Sequence, residues 1–123
     1  MGILVCVVDG PEHNDFNMPA IAKVGTLRVA ISSGGKSPAM VKILRKRIEK
    51  LIGPEDLLQI ELQQLVRKQI SSVLGTPAAR KKMVYEIIED DEVARLLKKG
   101  DLGAAQVRAR KMIRVRGRSK KRN

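Results

Sequence analysis

An uninterrupted apolar run close to the N-terminus, Ile3 to Val8, most constrains what this chain can fold into. The run is rich in β-branched residues and carries no charge, which is typical of a parallel strand that is covered on both faces. Asp9-Gly10-Pro11 ends it. Such a strand requires paired edges and covered faces. We therefore expect part of a parallel α/β sheet, completed by an upstream segment or by a partner chain.

A second strand is predicted from Thr26 to Ser32, where apolar and smaller or polar residues alternate. The loop Ser33-Gly34-Gly35-Lys36 follows it. Ser37 then has the position of a helix N-cap, with a proline at the first helical position. The helix that begins there is predicted to reach about Ile52.

Everything after Gly53-Pro54 has helical periodicity, with Thr76 and Asp101 as further N-caps. The predicted helices cover residues 55–74, 77–89, 91–99 and 102–114. The expected fold class is α+β and mostly helical, with a two- or three-stranded remnant of a parallel α/β sheet. The predicted domains are residues 1–36 with the strands of a Rossmann-like domain, 37–113 with the helices, and 114–123 as a disordered basic tail.

Charge is the main compositional signal in this chain of 123 residues. The net charge is +12, and residues 1–36 are neutral, so the whole excess lies in residues 37–123. Six basic and no acidic residues fall in the last ten positions. Such a field attracts polyanions. The apolar stretches are too short to span a membrane, and the single cysteine, Cys6, fits a reducing compartment, so we expect a cytoplasmic protein.

Asp9 is the first candidate catalytic residue, because a carboxylate directly after a buried strand lies at the sheet edge where α/β folds bind ligands. It can act there as a general base. The alternative is an ordinary turn-forming aspartate. His13, the one histidine, is a candidate proton shuttle, although a plain surface position is the simpler interpretation. It has no second histidine or nearby cysteine to complete a metal site, so no metal ligands are predicted.

The segment SSGGKSP is the second candidate site, with Ser33, Gly34, Gly35 and Ser37 as predicted substrate-binding residues. Two glycines before a helix allow backbone N–H groups to face an anion, and the helix dipole adds to the attraction. The nucleotide phosphate-binding loop would require glycine at position 30, where this chain has Ala30, so nucleoside triphosphate hydrolysis is rejected. The alternative is an ordinary strand-to-helix turn.

Together, VVD, F-x-M-P-A-I and VAISSGGKSPA at this spacing resemble the sirohaem synthase (precorrin-2 dehydrogenase, sirohydrochlorin ferrochelatase) family. The resemblance covers about residues 3–113. It implies oxidation of precorrin-2 to sirohydrochlorin with NAD and, in some members, insertion of iron. It also implies that Asp9 is the catalytic group, that Ser33 lies in the active site, and that the helical part forms a homodimer.

The chain differs from that family in two features. It has no G-x-G-x-x-G turn to hold a dinucleotide cofactor, and Cys6 stands where the family has asparagine. No cofactor-binding residue is therefore predicted. A truncated form, a split form with a separate NAD-binding subunit, or a chelatase or binding remnant would explain this. The expected partners are a tetrapyrrole and a second copy of the chain, without a membrane.

Two other functions stay open from the residues alone. The first is a basic nucleic-acid-binding helical module, supported by the tail from Arg114 to Asn123. Against it, Phe16 and Tyr85 are the only aromatic residues, so platforms for base stacking are lacking. The second is a helical scaffold without activity.

Overall fold

A computed structural model describes residues 3–5 and 19–121, which form two compact units, residues 1–53 and 54–123. The elements are β1 (Ile3–Val5), β2 (Ala20–Val24), β3 (Leu27–Ile31), α1 (Pro38–Leu51), α2 (Pro54–Val73), α3 (Pro77–Glu89), α4 (Asp91–Lys98) and α5 (Leu102–Lys121). The α+β, mostly helical class predicted from the sequence is confirmed. The units divide after Gly53, and α1 belongs to the first unit because it packs on the sheet.

The sheet of the first unit has the order β1-β3-β2. β1 pairs in parallel with β3, in the register Leu4 with Val29, as the predicted parallel remnant requires. β2 was not predicted and pairs antiparallel with β3, so the sheet is mixed. A two-residue turn makes this hairpin, and Gly25 supplies the positive φ of 58° that such turns need.

Helix α1 covers one face of this sheet through an apolar cluster of Ala22, Val29, Ile31 and Val41. Ile48 and Ile52 extend the contact. The face differs by one position from the simplest interpretation of the sequence, which placed Met40 and Leu51 inside. Both are exposed, Leu51 by 80%, because the residues of α1 that pack on the sheet are Val41, Ile48 and Ile52, at spacings of seven and four residues.

The second unit is a four-helix arrangement around one apolar core. The residues of this core are Leu62, Val66, Ile70, Leu74, Met83, Ile87, Val93, Leu97, Ala105, Ala109 and Ile113. In both α2 and α5 the buried positions recur every four residues, so these two helices meet along straight rows of side chains. The row on α5 consists mostly of small residues, which allow a close approach of the two backbones.

Side chains accept hydrogen bonds from the free backbone N–H groups at the helix N-termini of this unit. Thr76 and Asp101 cap α3 and α5 as predicted, accepting hydrogen bonds from the N–H groups of Ala79 and Ala104. Asp90, which was not predicted, caps α4 and also binds the guanidinium of Arg108 at 3.1 and 3.2 Å. These bonds hold the pKa of the Asp90 carboxyl below its usual value, mainly through the hydrogen bond from Arg108.

Helix α5 corrects one further expectation. Residues 114–123 were predicted to be a disordered basic tail, but the helix continues to Lys121. Arginine and lysine are good helix formers, so a basic composition does not oppose this. The extension is also packed, because Gly117 is buried and lies against Val73 of α2. Within the described residues, no helix is long and apolar enough to cross a bilayer.

Candidate functional site

The loop between β3 and α1 forms a tight turn built on two glycines. Gly34 and Gly35 have φ values of 65° and 78°, a region that side chains with a Cβ rarely adopt. The turn is closed by a hydrogen bond from the N–H of Lys36 to the carbonyl oxygen of Ser33, 3.2 Å long. Both glycines are therefore required by the backbone path, whatever ligand the loop binds.

Three serine hydroxyl groups hold this loop by accepting backbone hydrogen bonds. The Oγ of Ser32, a residue only 4% exposed, accepts from the N–H of Gly34 at 3.2 Å. The Oγ of Ser33 accepts from Ser37 at 3.1 Å, and the Oγ of Ser37 caps α1 by accepting from Met40 at 3.2 Å. Because a hydroxyl also carries one proton, half-buried Ser33 keeps a donor that can point to a ligand.

The remaining donors of the loop can serve an anion. In the described chain no hydrogen bond uses the N–H of Gly35 or of Ala39, and none involves the ammonium of exposed Lys36. The positive end of the α1 dipole lies at the same place. The backbone offers fewer donors than the two glycines alone suggest, because the N–H groups of Gly34 and Ser37 are already bonded within the loop.

Strand β1 ends at the same edge of the sheet as β3, where the glycine loop begins. β1 runs parallel to β3, with Val5 opposite Ala30, so both strands end toward the same edge of the sheet. Asp9, His13 and Cys6 lie outside the described residues. The structure thus brings together Ser33, Gly34, Gly35 and Ser37 of the predicted site. It adds Lys36 and Ala39, which the sequence analysis did not select, although the N-terminal position of Ala39 in a capped helix is a readable signal.

Comparison with known proteins shows what this strand-loop-helix unit is similar to. Residues 24–51 match the family model described as the central part of sirohaem biosynthesis proteins, and this match includes β3, the glycine loop and α1. Three relatives agree. Siroheme synthase 2 of Aeromonas hydrophila is 34% identical over 86% of this chain, siroheme synthase 2 of Aeromonas salmonicida is 36% identical over 86%, and siroheme synthase of Edwardsiella ictaluri is 33% identical over 81%.

Most of this chain is therefore similar to one part of the sirohaem synthases. The resemblance stated from the motifs is thereby confirmed. The match covers only 23% of the Aeromonas hydrophila relative and 22% of the other two, so the chain spans less than a quarter of their length.

Proposed function

We propose that this chain supplies the tetrapyrrole-binding segment of a sirohaem biosynthetic enzyme, and that its β3–α1 loop holds a carboxylate of precorrin-2 or sirohydrochlorin. The observation that carries the proposal is the set of unused donors on the loop, the Ser33 hydroxyl, the N–H groups of Gly35 and Ala39, and the Lys36 ammonium. The family match over residues 24–51 includes this same loop.

The chemistry of the loop suits a carboxylate better than a larger anion. Because Gly34 and Ser37 use their N–H groups internally, the open donors are few and lie on one turn. A carboxylate has two oxygens and can accept from both backbone and hydroxyl donors. Hydrogen bonds to a charged group contribute about 1.5–3 kcal/mol each. Tetrapyrroles of this pathway carry carboxylates around the ring, so one loop would fix one edge of the substrate.

Asp9 completes the proposal as the general base that removes a proton from the bound macrocycle, with His13 as a proton shuttle. Their support is the family resemblance and, for Asp9, its position shortly after β1, whose carboxyl end meets the edge where β3 ends. A carboxylate at that edge would face a substrate held by the loop.

The NAD requirement of the family does not fit the residues of this chain. The sequence contains no G-x-G-x-x-G turn, and in the loop after β3 the N–H groups of Gly34 and Ser37 bind within the loop, which leaves too few backbone donors for a pyrophosphate. We therefore derive no hydride-transfer step through these residues. Oxidation of precorrin-2 would require a nucleotide-binding segment or subunit in addition, and iron would enter as a substrate of the bound tetrapyrrole. Homodimer formation through the helical unit remains part of the proposal.

Titration of sirohydrochlorin with the protein, followed by visible absorbance, tests the binding step. Ser33→Ala is expected to weaken binding about tenfold or more, from the loss of one hydrogen bond to a charged group. Ser33→Thr keeps the hydroxyl and should restore binding. Ser72→Ala removes a serine hydroxyl from an exposed position on α2 and serves as the matched control. Absence of any spectral change at micromolar protein, with or without a nucleotide-binding partner, would contradict the proposal.

Turnover is tested separately. Precorrin-2, NAD and ferrous iron are supplied with the protein and a nucleotide-binding partner, and sirohydrochlorin and sirohaem are followed by their absorbance. Asp9→Ala should abolish turnover while sirohydrochlorin binding persists. Equal turnover by the Asp9→Ala protein would remove Asp9 from the mechanism and leave the binding role of the loop intact.

A further inference from the structure

The outward face of α5 is a continuous row of cations. Arg110, Lys111, Arg114 and Arg118 are exposed. The three arginines recur every four residues and Lys111 lies three residues before Arg114, so all four lie on one side of the helix. The buried row of Ala105, Ala109 and Ile113 lies on the other side. Residues 102–123 contain no aspartate or glutamate. We refer to these four exposed residues as the basic row.

The basic row is separate from the cations that stabilise the fold. Arg108 and Arg116, also on α5, are bonded to Asp90 and Glu86 of neighbouring helices. Among the described residues no hydrogen bond or ion pair is recorded for the side chains of the basic row. The charge of α5 is therefore divided between an inner, paired set and an outer set that faces solvent.

We propose that the basic row is a docking surface for the phosphate backbone of a nucleic acid. Three of its four members are arginines, and the planar guanidinium fits a phosphate through two parallel hydrogen bonds. Arg110, Arg114 and Arg118 follow each other at about 6 Å along the helix axis, which presents a line of charge to a linear polyanion. This surface is independent of the proposed tetrapyrrole site and lies in the other unit.

The residues around the basic row favour a nucleic acid over a membrane surface as the partner. A helix that lies in a membrane interface needs an exposed apolar side with large residues. The apolar side of α5 is buried in the core, and the exposed apolar residues beside the basic row are only Val107 and Val115. Since Tyr85 is the one aromatic residue of the second unit, base stacking is not available, and the expected binding follows the backbone without sequence preference.

The test uses a fluorescently labelled duplex DNA and the full chain, with anisotropy recorded from about 50 to 200 mM salt. Each phosphate contact contributes about 0.9 to the slope of log K against log salt concentration, so the four cations predict a slope near −3.6. The affinity should then fall by about two orders of magnitude over that range. The triple variant Arg110→Gln, Arg114→Gln, Arg118→Gln should reduce the slope by about 2.7.

A matched control is available on α1, where Lys42, Lys46 and Lys50 are exposed at the same four-residue spacing. Their triple replacement by glutamine removes the same net charge and should leave the slope unchanged. A third variant, in which the three arginines become lysines, should keep the slope and weaken binding, because charge remains while the two-pronged hydrogen bonding is lost. Single arginine variants, each expected to reduce the slope by about 0.9, give the same information if the triple variant loses helicity.

Three outcomes overturn the proposal. Equal losses in the α5 and α1 triple variants would show that net charge alone attracts DNA. No binding of the duplex at 50 mM salt would contradict any docking of nucleic acid on the basic row. Binding to vesicles rich in phosphatidylserine, without binding to the duplex, would assign the row to a membrane surface.

Discussion

Gly117 allows the sharpest test of how the end of α5 is packed. A Cβ at this position would lie well inside the van der Waals distance of the Val73 Cγ1 atom, whereas the Val73 Cβ is 3.8 Å away. In a helix without that neighbour, Gly→Ala stabilises by about 1 kcal/mol. Overpacking opposes this gain by about 1–3 kcal/mol, since valine in a helix strongly prefers one rotamer. We expect Gly117→Ala to change the free energy of unfolding by between about zero and 2 kcal/mol of destabilisation.

The assay is a double-mutant cycle of urea unfolding curves. In a Val73→Ala background the obstructing methyl group is absent, so Gly117→Ala should now stabilise by about 1 kcal/mol. The coupling between the two positions is therefore expected to be about 1–3 kcal/mol. Gly103→Ala is the control within the same helix, because its added Cβ would meet only the Asp101 Oδ1 at an ordinary 3.8 Å.

Equal stabilisation of the wild-type chain and the Val73→Ala chain by Gly117→Ala would contradict the close contact between Gly117 and Val73. That result would mean that residues beyond 113 do not pack on α2. It would support the disordered tail predicted from composition.

Two further perturbations probe the core and the capping network of the second unit. Ile113→Ala should lower the free energy of unfolding by about 2–5 kcal/mol because Ile113 is fully buried. Val107→Ala changes a residue that is 66% exposed and should alter the free energy of unfolding little. The midpoints of urea unfolding compare the two variants, and equal effects would contradict the assigned faces of α5. Asp90→Asn should destabilise the protein at pH 7, because the stabilisation belongs to the ionised carboxylate. The difference from wild type should disappear as the pH falls below the ordinary pKa of 3.8 and through the lowered pKa of Asp90. Unfolding curves at pH 7 and near pH 2 measure this, with Asp91→Asn as the charge-matched control, and a difference that persists in acid would contradict the role of the Arg108 contact.

Helix starts were the part of the fold that the sequence predicted well. Ser37, Thr76 and Asp101 each accept a hydrogen bond from the residue three positions on, as expected for N-caps. The reason is local, because a cap depends only on a short side chain and the first turn beyond it. Proline after Ser37 and Thr76 strengthened the same signal.

The features that were missed depend on partners distant in sequence. β2 contains two alanines and a lysine among its five residues, so its pattern is weak, and pairing with β3 makes it a strand. The end of α5 was assigned to a tail from its charge, but Gly117 finds a place against Val73, 44 positions earlier in the numbering (117 minus 73). In the loop after β3 the glycines are visible in the sequence, whereas the hydrogen bonds of the Gly34 and Ser37 N–H groups depend on the folded path of the loop.

The division of α5 into a packed side and a basic row has a consequence for how this chain balances stability against activity. Like charges four residues apart on a helix destabilise it by about 0.2–0.5 kcal/mol per pair, and Arg110, Arg114 and Arg118 form two such pairs. Selection for folding alone would favour mixed charges at these positions. Glutamine at all three should therefore raise the melting temperature, which marks the basic row as a place where the chain gives up stability for another property.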